Sequence, residues 1–109
     1  MNTKPLKVYV LVRRDLPWPQ PAIQACHAVA SLAVRNAADP QVVQWMDESP
    51  TLVLLGVENE EELIGWEKLL HDRGDIFCCF SEPDFGDEKT ALAVHPRSDA
   101  GLFRSIPLL

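Results

Sequence analysis

The residues best suited to chemistry sit in one short stretch, "QACHA" (24–28), which follows "RRDLPWPQP" (13–21). His27 is the natural candidate for a general base, because an imidazole changes charge near neutral pH. Gln24 lies three residues earlier, one helical turn away, where its amide could orient a water or a substrate carbonyl. A hydrogen-bonded core histidine and a glutamine that satisfies backbone groups near a helix start would carry the same pattern, so both roles stay open. Cys26 is set ~100° around the helix from His27, which argues against a Cys–His nucleophilic pair. Arg13 and Arg14 bring positive charge to the end of the preceding strand.

The charge distribution narrows the partners. The net charge of −6 argues against nonspecific nucleic-acid binding, but residues 1–35 carry a balance of +4 and residues 36–93 one of −11. A phosphate-bearing partner would therefore approach the N-terminal third. Ordinary surface solvation accounts for the same distribution, so charge alone assigns no partner. Cys26, Cys78 and Cys79 are odd in number and form no C-x-x-C pair, and adjacent Cys78 and Cys79 point to opposite faces of a strand. No metal site, disulfide or cofactor is expected, and the reading is a reducing cytoplasm. No apolar run is long enough to span a bilayer, and the N-terminus lacks the cleavage site of a signal peptide.

The 109 residues suit one domain with a single core. "LKVYVLV" (6–12) is rich in β-branched residues and becomes apolar on both faces, as an inner strand does. Pro17, Pro19 and Pro21 delay regular structure to about residue 21, and a helix should follow to about Asn36. Its surface is apolar almost all round, so burial on most sides is expected, the flank of Ile23, Cys26, Ala30, Val34 and Ala37 included. A narrow seam of Gln24, Ala28, Ser31 and Arg35, with His27 at its edge, must then face something polar. Residues 39–48 suit a second helix with Asp39 as N-cap and Pro40 at its first position. "TLVLLGV" (51–57) reads as a buried strand. Asn59 and Glu62 resemble a capping box for a third helix, with Leu63, Trp66 and Leu70 facing inward and Gly74 as its stop. Glu60, Glu61 and Glu62 suit its first turn electrostatically and call for no functional role. Strands at 76–82 and 90–96 complete the set, with a brief helix and an extended tail over 98–109. The order predicts an α/β fold, a three-layer domain with a mixed four-stranded sheet flanked by helices. Sites in such sheets gather where strand ends meet helix N-termini, here at the end of the first strand and the loop at 15–21.

These motifs resemble the archaeal and eukaryotic type of peptidyl-tRNA hydrolase. In that family a strand ending V-R-x-D-L precedes a helix with Q-C-S-H-A or Q-A-C-H-A, matched by "VLVRRDL" and "QACHA". The "W-P" before the helix looks closest to animal members. A Trp-bearing second helix, the "LVLLGV" strand and "TALAVHP", similar to the family's T-V-L-A-I-G-P, continue the order over residues 6–97. The resemblance implies one peptidyl-tRNA hydrolase-like domain, often a homodimer, that cleaves the ester between a peptide and tRNA and acts without a membrane. Ester hydrolysis needs a placed water, a base, and donors for the oxyanion.

By this resemblance Arg13, Asp15, Gln24, His27 and Thr90 stand at family positions, with Trp18 able to stack on the terminal adenine of tRNA or, as its simpler role, to close the core beneath its loop. Two departures stand out. The family's K-M-G-K-G-K loop is here "PWPQP", which has no lysine and offers Gln20 nearest to the last of them. The family's D-A-G-R-T-Q segment is here "SEPDFGDEK", with Glu82 as the stand-in for its Asp and Asp84 as the other candidate. The candidate catalytic set is thus His27, Gln24, Asp15 and Glu82. The substrate-binding set is Arg13, Arg14, Trp18, Gln20 and Thr90. Two functions remain: an esterase acting on peptidyl-tRNA, favoured by "RRDL" and "QACHA", or a non-catalytic relative binding RNA, a nucleotide or a protein, favoured by the missing lysines.

Overall fold

A computed structural model describes residues 4–99 and 101–109; the first three residues, where the N-terminal reading begins, and residue 100 in the tail lie outside them. The chain runs β1 (Lys7–Arg13), α1 (Gln20–Arg35), α2 (Pro40–Glu48), β2 (Thr51–Val57), α3 (Glu60–Arg73), β3 (Phe77–Glu82) and β4 (Glu88–Val94). The four strands form one mixed sheet in the order β2-β1-β4-β3. β1 is parallel to β2, and β4 is antiparallel to both β1 and β3. The expected α/β architecture is therefore the one observed. Among the described residues no helix is long and apolar enough to cross a membrane.

The two-residue period of the inner strands builds both cores. Val8, Val10 and Val12 with Ala91 and Ala93 pack under α1 and α2, against Ala25, Ala28, Leu32 and Trp45. Tyr9 and Leu11 with Leu92 and Val94 face the other way, onto Leu63 and Leu70 of α3 and Phe103 and Ile106 of the tail. Cys78 lies in the first core and Cys79 packs against the second, on opposite faces as their adjacency requires.

Local chemistry sets the helix ends. Asp39 caps α2, its carboxylate accepting from the backbone N–H of Gln41 and Val42. Asn59 caps α3 through the Glu62 N–H, while the Glu62 carboxylate returns to the N–H of Glu58 rather than to that of the cap itself. Gly74 ends α3 with φ of 78°, a left-handed conformation that favours glycine. The tail forms a short 3₁₀ turn at Gly101–Phe103 and then extends, with Leu108 bridged antiparallel to Leu55 on the outer edge of β2.

Three expectations need correction. α1 is buried along one face only, through Pro21, Gln24, Ala25, Ala28 and Leu32, while Ile23, Cys26, Ala30 and Val34 are exposed. The helix lies on a sheet that covers one side of it, and among the described residues no further layer covers the opposite apolar flank. Trp18 does not close the core: it is 76% exposed. The last strand starts two residues earlier than its apolar run, at Glu88, and ends at Val94.

Candidate active site

The topology brings distant sequence to one end of the sheet. Because β4 is antiparallel to both neighbours, its start lies beside the ends of β1 and β3. The chain returns from β1 to begin α1 over the same end, so Arg13, Gln20, Gln24, Glu82 and Thr90 converge although up to 77 positions apart.

At the centre is a buried polar relay. Gln24 and Thr90 are both completely buried, and the Thr90 hydroxyl donates to Gln24 Oε1 at 2.6 Å. That bond fixes the amide orientation, turning the Gln24 Nε2 toward Glu82 Oε1 at 3.0 Å and Gln20 Oε1 at 3.2 Å. Of the α1 seam, Gln24 meets polar partners, whereas Ala28 packs in the apolar core and Arg35 is exposed. Gln24 is satisfied by the protein at both amide atoms. Gln20, half-buried, accepts through its oxygen, which directs its own NH₂ away from Gln24.

Thr90 reaches α1 because of a break in strand register. Phe80 pairs with Ala91 but Ser81 pairs with Lys89, leaving Thr90 as the extra residue of a β-bulge. Regular alternation from Leu92 would aim Thr90 at α3; the bulge re-aims it at Gln24. Lys89, on the other side, is held by α3: its Nζ pairs with Glu67 and its backbone N–H donates to Glu60. Glu60 therefore has a tertiary contact beyond its helix-dipole role.

Glu82 is the acid the structure brings to Gln24. The Gln24 amide holds the Glu82 carboxyl below the usual carboxylate range, helped by the Asp84 N–H and the charge of nearby His27, against the cost of desolvation. Asp84 itself is exposed and contributes its backbone N–H to Glu82 Oε2 at 3.4 Å. His27 is exposed, its ring stacked on Phe80 with centroids 4.4 Å apart and planes 13° from parallel.

Arg13 and Asp15 form a neighbouring cluster. The Arg13 guanidinium, 7% exposed, donates two bonds of 2.9 Å to the Asp15 carboxylate and one of 2.7 Å to Glu88. It also reaches the Lys89 carbonyl at 3.2 Å, which ties the loop after β1 to the start of β4. The Arg13 partner lowers the Asp15 pKa, and the Asp15 carboxylate raises that of Arg13. Two cations at this end of the sheet, Arg13 and Lys89, are thus paired with carboxylates.

Arg14 and Trp18 lie elsewhere. With Leu16, Pro21, Leu54 and Leu109 they line a separate depression of about 500 Å³ on the β2 side of α1. Reasoning from sequence missed Phe80, Glu88 and the bulge at Thr90. Aromatic Phe80 in an apolar strand, and Glu88 in an acidic loop, carry no signal that separates them from packing and solvation.

A family model described as peptidyl-tRNA hydrolase PTH2 matches residues 6–103. No curated protein matches the chain. The family match spans all four strands and every residue of the relay, and the chain belongs to the PTH2 peptidyl-tRNA hydrolase family.

Proposed function

We propose that the chain hydrolyses the ester between peptide and tRNA, as a family member of the archaeal and eukaryotic type, with the Trp-Pro pair before α1 placing it nearest to animal members. The observation that carries this reading is the Thr90–Gln24–Glu82 relay, with exposed His27 one turn along α1 from Gln24. His27 takes a proton from the attacking water, and the ionised Glu82 offsets the positive charge that forms on the imidazole. Gln24 and Thr90 position Glu82, while the outward NH₂ of Gln20 donates to the oxyanion from the place nearest the family's last loop lysine. Asp15 and Glu88 hold Arg13, which fixes the loop after β1 against the start of β4 beside the site. The reaction needs no cofactor, and its setting is the cytoplasm, with the homodimer as the assembly.

One observation favours the alternative, a non-catalytic relative that binds RNA, a nucleotide or a protein partner. Arg13 and Lys89 are already neutralised by carboxylates, so the site offers little uncommitted positive charge for an oxyanion or phosphate. Purified chain incubated with peptidyl-tRNA, with deacylated tRNA as control, separates the two. Release of free peptide supports the hydrolase. Saturable tRNA binding with no release beyond the uncatalysed rate supports the binder.

A further inference from the structure

A histidine that serves as a base normally has its ring oriented by a third group, most often a carboxylate bonded to its second nitrogen. His27 has no such group. It is exposed, and among the described residues neither ring nitrogen has a hydrogen-bond partner. Its one ring contact among them is the stack on Phe80, with centroids 4.4 Å apart and planes 13° from parallel. Without that contact an exposed imidazole would sample several rotamers about its two side-chain torsions.

Phe80 is itself firmly held. It pairs with Ala91 across the β3–β4 ladder, and its ring is partly buried against the core beneath α1. Its carbonyl accepts a second, longer bond from the Thr90 hydroxyl at 3.4 Å, at the bulge that turns Thr90 toward Gln24. Glu82 follows Phe80 by two positions on the same strand, and α1 meets β3 in two rungs, Gln24 on Glu82 and His27 on Phe80. The geometry of the second rung also suits chemistry. The lone pair and N–H of an imidazole lie in the ring plane, so a parallel stack covers one face and leaves both nitrogens open, whereas contact through the ring edge would cover one of them.

We propose that Phe80 is a positioning residue for His27: its ring, anchored in β3, fixes the imidazole plane and so the direction in which the ring nitrogens meet the substrate. A stacked ring here takes the place of the orienting hydrogen bond. Only the role of His27 as the base rests on the hydrolase reading; the stack does not.

Two variants of the full chain test this. Phe80→Leu keeps an apolar side chain over the core and removes the aromatic face, and Phe80→Tyr keeps the face. Proton NMR of the imidazole C–H signals reads the stack directly, with exposed His71 as the internal reference. The His27 signals should lie upfield of those of His71 in wild type and in Phe80→Tyr, and coincide with them in Phe80→Leu. In single-turnover release from peptidyl-tRNA, Phe80→Leu should lower the saturating rate by roughly 2–12-fold, the worth of one aromatic pair, at unchanged half-saturating concentration. Phe80→Tyr should restore the rate. In a His27→Ala background Phe80→Leu should have no further effect, because it acts only through the imidazole. His27 signals that match His71 in wild type overturn the proposal. So does a wild-type rate in Phe80→Leu, a loss confined to the half-saturating concentration, or an equal loss in the His27→Ala background. The hydrolase reading fails separately, by absence of release from wild type, and the proton shifts then decide alone whether Phe80 fixes the ring.

Discussion

Replacing Thr90 by valine isolates the bond on which the relay depends. Valine matches threonine in shape, so the change removes a hydroxyl and leaves no cavity. Thr90 and Gln24 are both completely buried, and no water reaches Gln24 Oε1 to replace the 2.6 Å bond. A buried acceptor left without a donor costs about 1–3 kcal/mol. For a domain near this size that corresponds to a Tm lower by on the order of 10 °C. Thr90→Ser should recover most of the loss, because it restores the hydroxyl. Gln24→Leu alone leaves the Thr90 hydroxyl only its longer 3.4 Å bond to the Phe80 carbonyl and removes the donor from Glu82. The double variant, with both ends apolar, should be less destabilised than the sum of the singles by about 1 kcal/mol or more. Thermal and urea melts measure all four proteins. A valine variant that melts with wild type, a serine variant as unstable as valine, or strictly additive singles would refute the relay.

Other parts of the structure give further expectations. Arg13→Met should cost about 1–3 kcal/mol, discounted because its Asp15 partner is 38% exposed, while Glu88→Gln should cost under ~1 kcal/mol; urea melts compare them. Arg13→Lys should not restore stability, since an ammonium cannot reproduce the two parallel bonds to Asp15. His95 Nε2 lies 3.1 Å from Asp39 Oδ1, off the hydrogen-bonding angle, and its imidazole is the main cause that lowers the Asp39 pKa. A depressed folded pKa gives stability that is present above the unfolded carboxylate pKa and lost as pH falls through the folded one. The Tm advantage of wild type over Asp39→Asn, which keeps a capping oxygen, should therefore be full at neutral pH and vanish in acid. Gly74→Ala forces a Cβ into the left-handed region and should cost about 1 kcal/mol, with Gly74→Asn milder, as read by thermal melts.

The fold was largely legible because its signals are local. Asp39, Asn59 and Gly74 mark helix ends through backbone bonds within a few residues, and the alternation in β1 assigns each side chain to a core. The burial of α1 was not legible. Ile23, Cys26, Ala30 and Val34 are as apolar as a buried face, and only the number of layers around the helix, a tertiary fact, leaves them in solvent. Trp18 misled for the same reason, since an aromatic beside prolines reads equally as a plug or as an exposed ring. At the site, Gln24, Thr90 and Glu82 were identifiable one by one, but the bond between Thr90 and Gln24 was not. It depends on a bulge between Phe80 and Ser81 that defeats the two-residue period on which a strand reading rests. The pairing of Arg13 with Glu88 was likewise hidden, because 75 positions separate them.

The most direct test of the account is single-turnover release of peptide from peptidyl-tRNA by wild type and by His27→Ala. The His27 side chain is exposed, so its removal leaves the fold intact and isolates the chemistry. Wild type should release peptide, and the variant should do so at a rate ~10²–10⁴-fold lower, the usual contribution of a positioned base. Equal rates for the two proteins would contradict it.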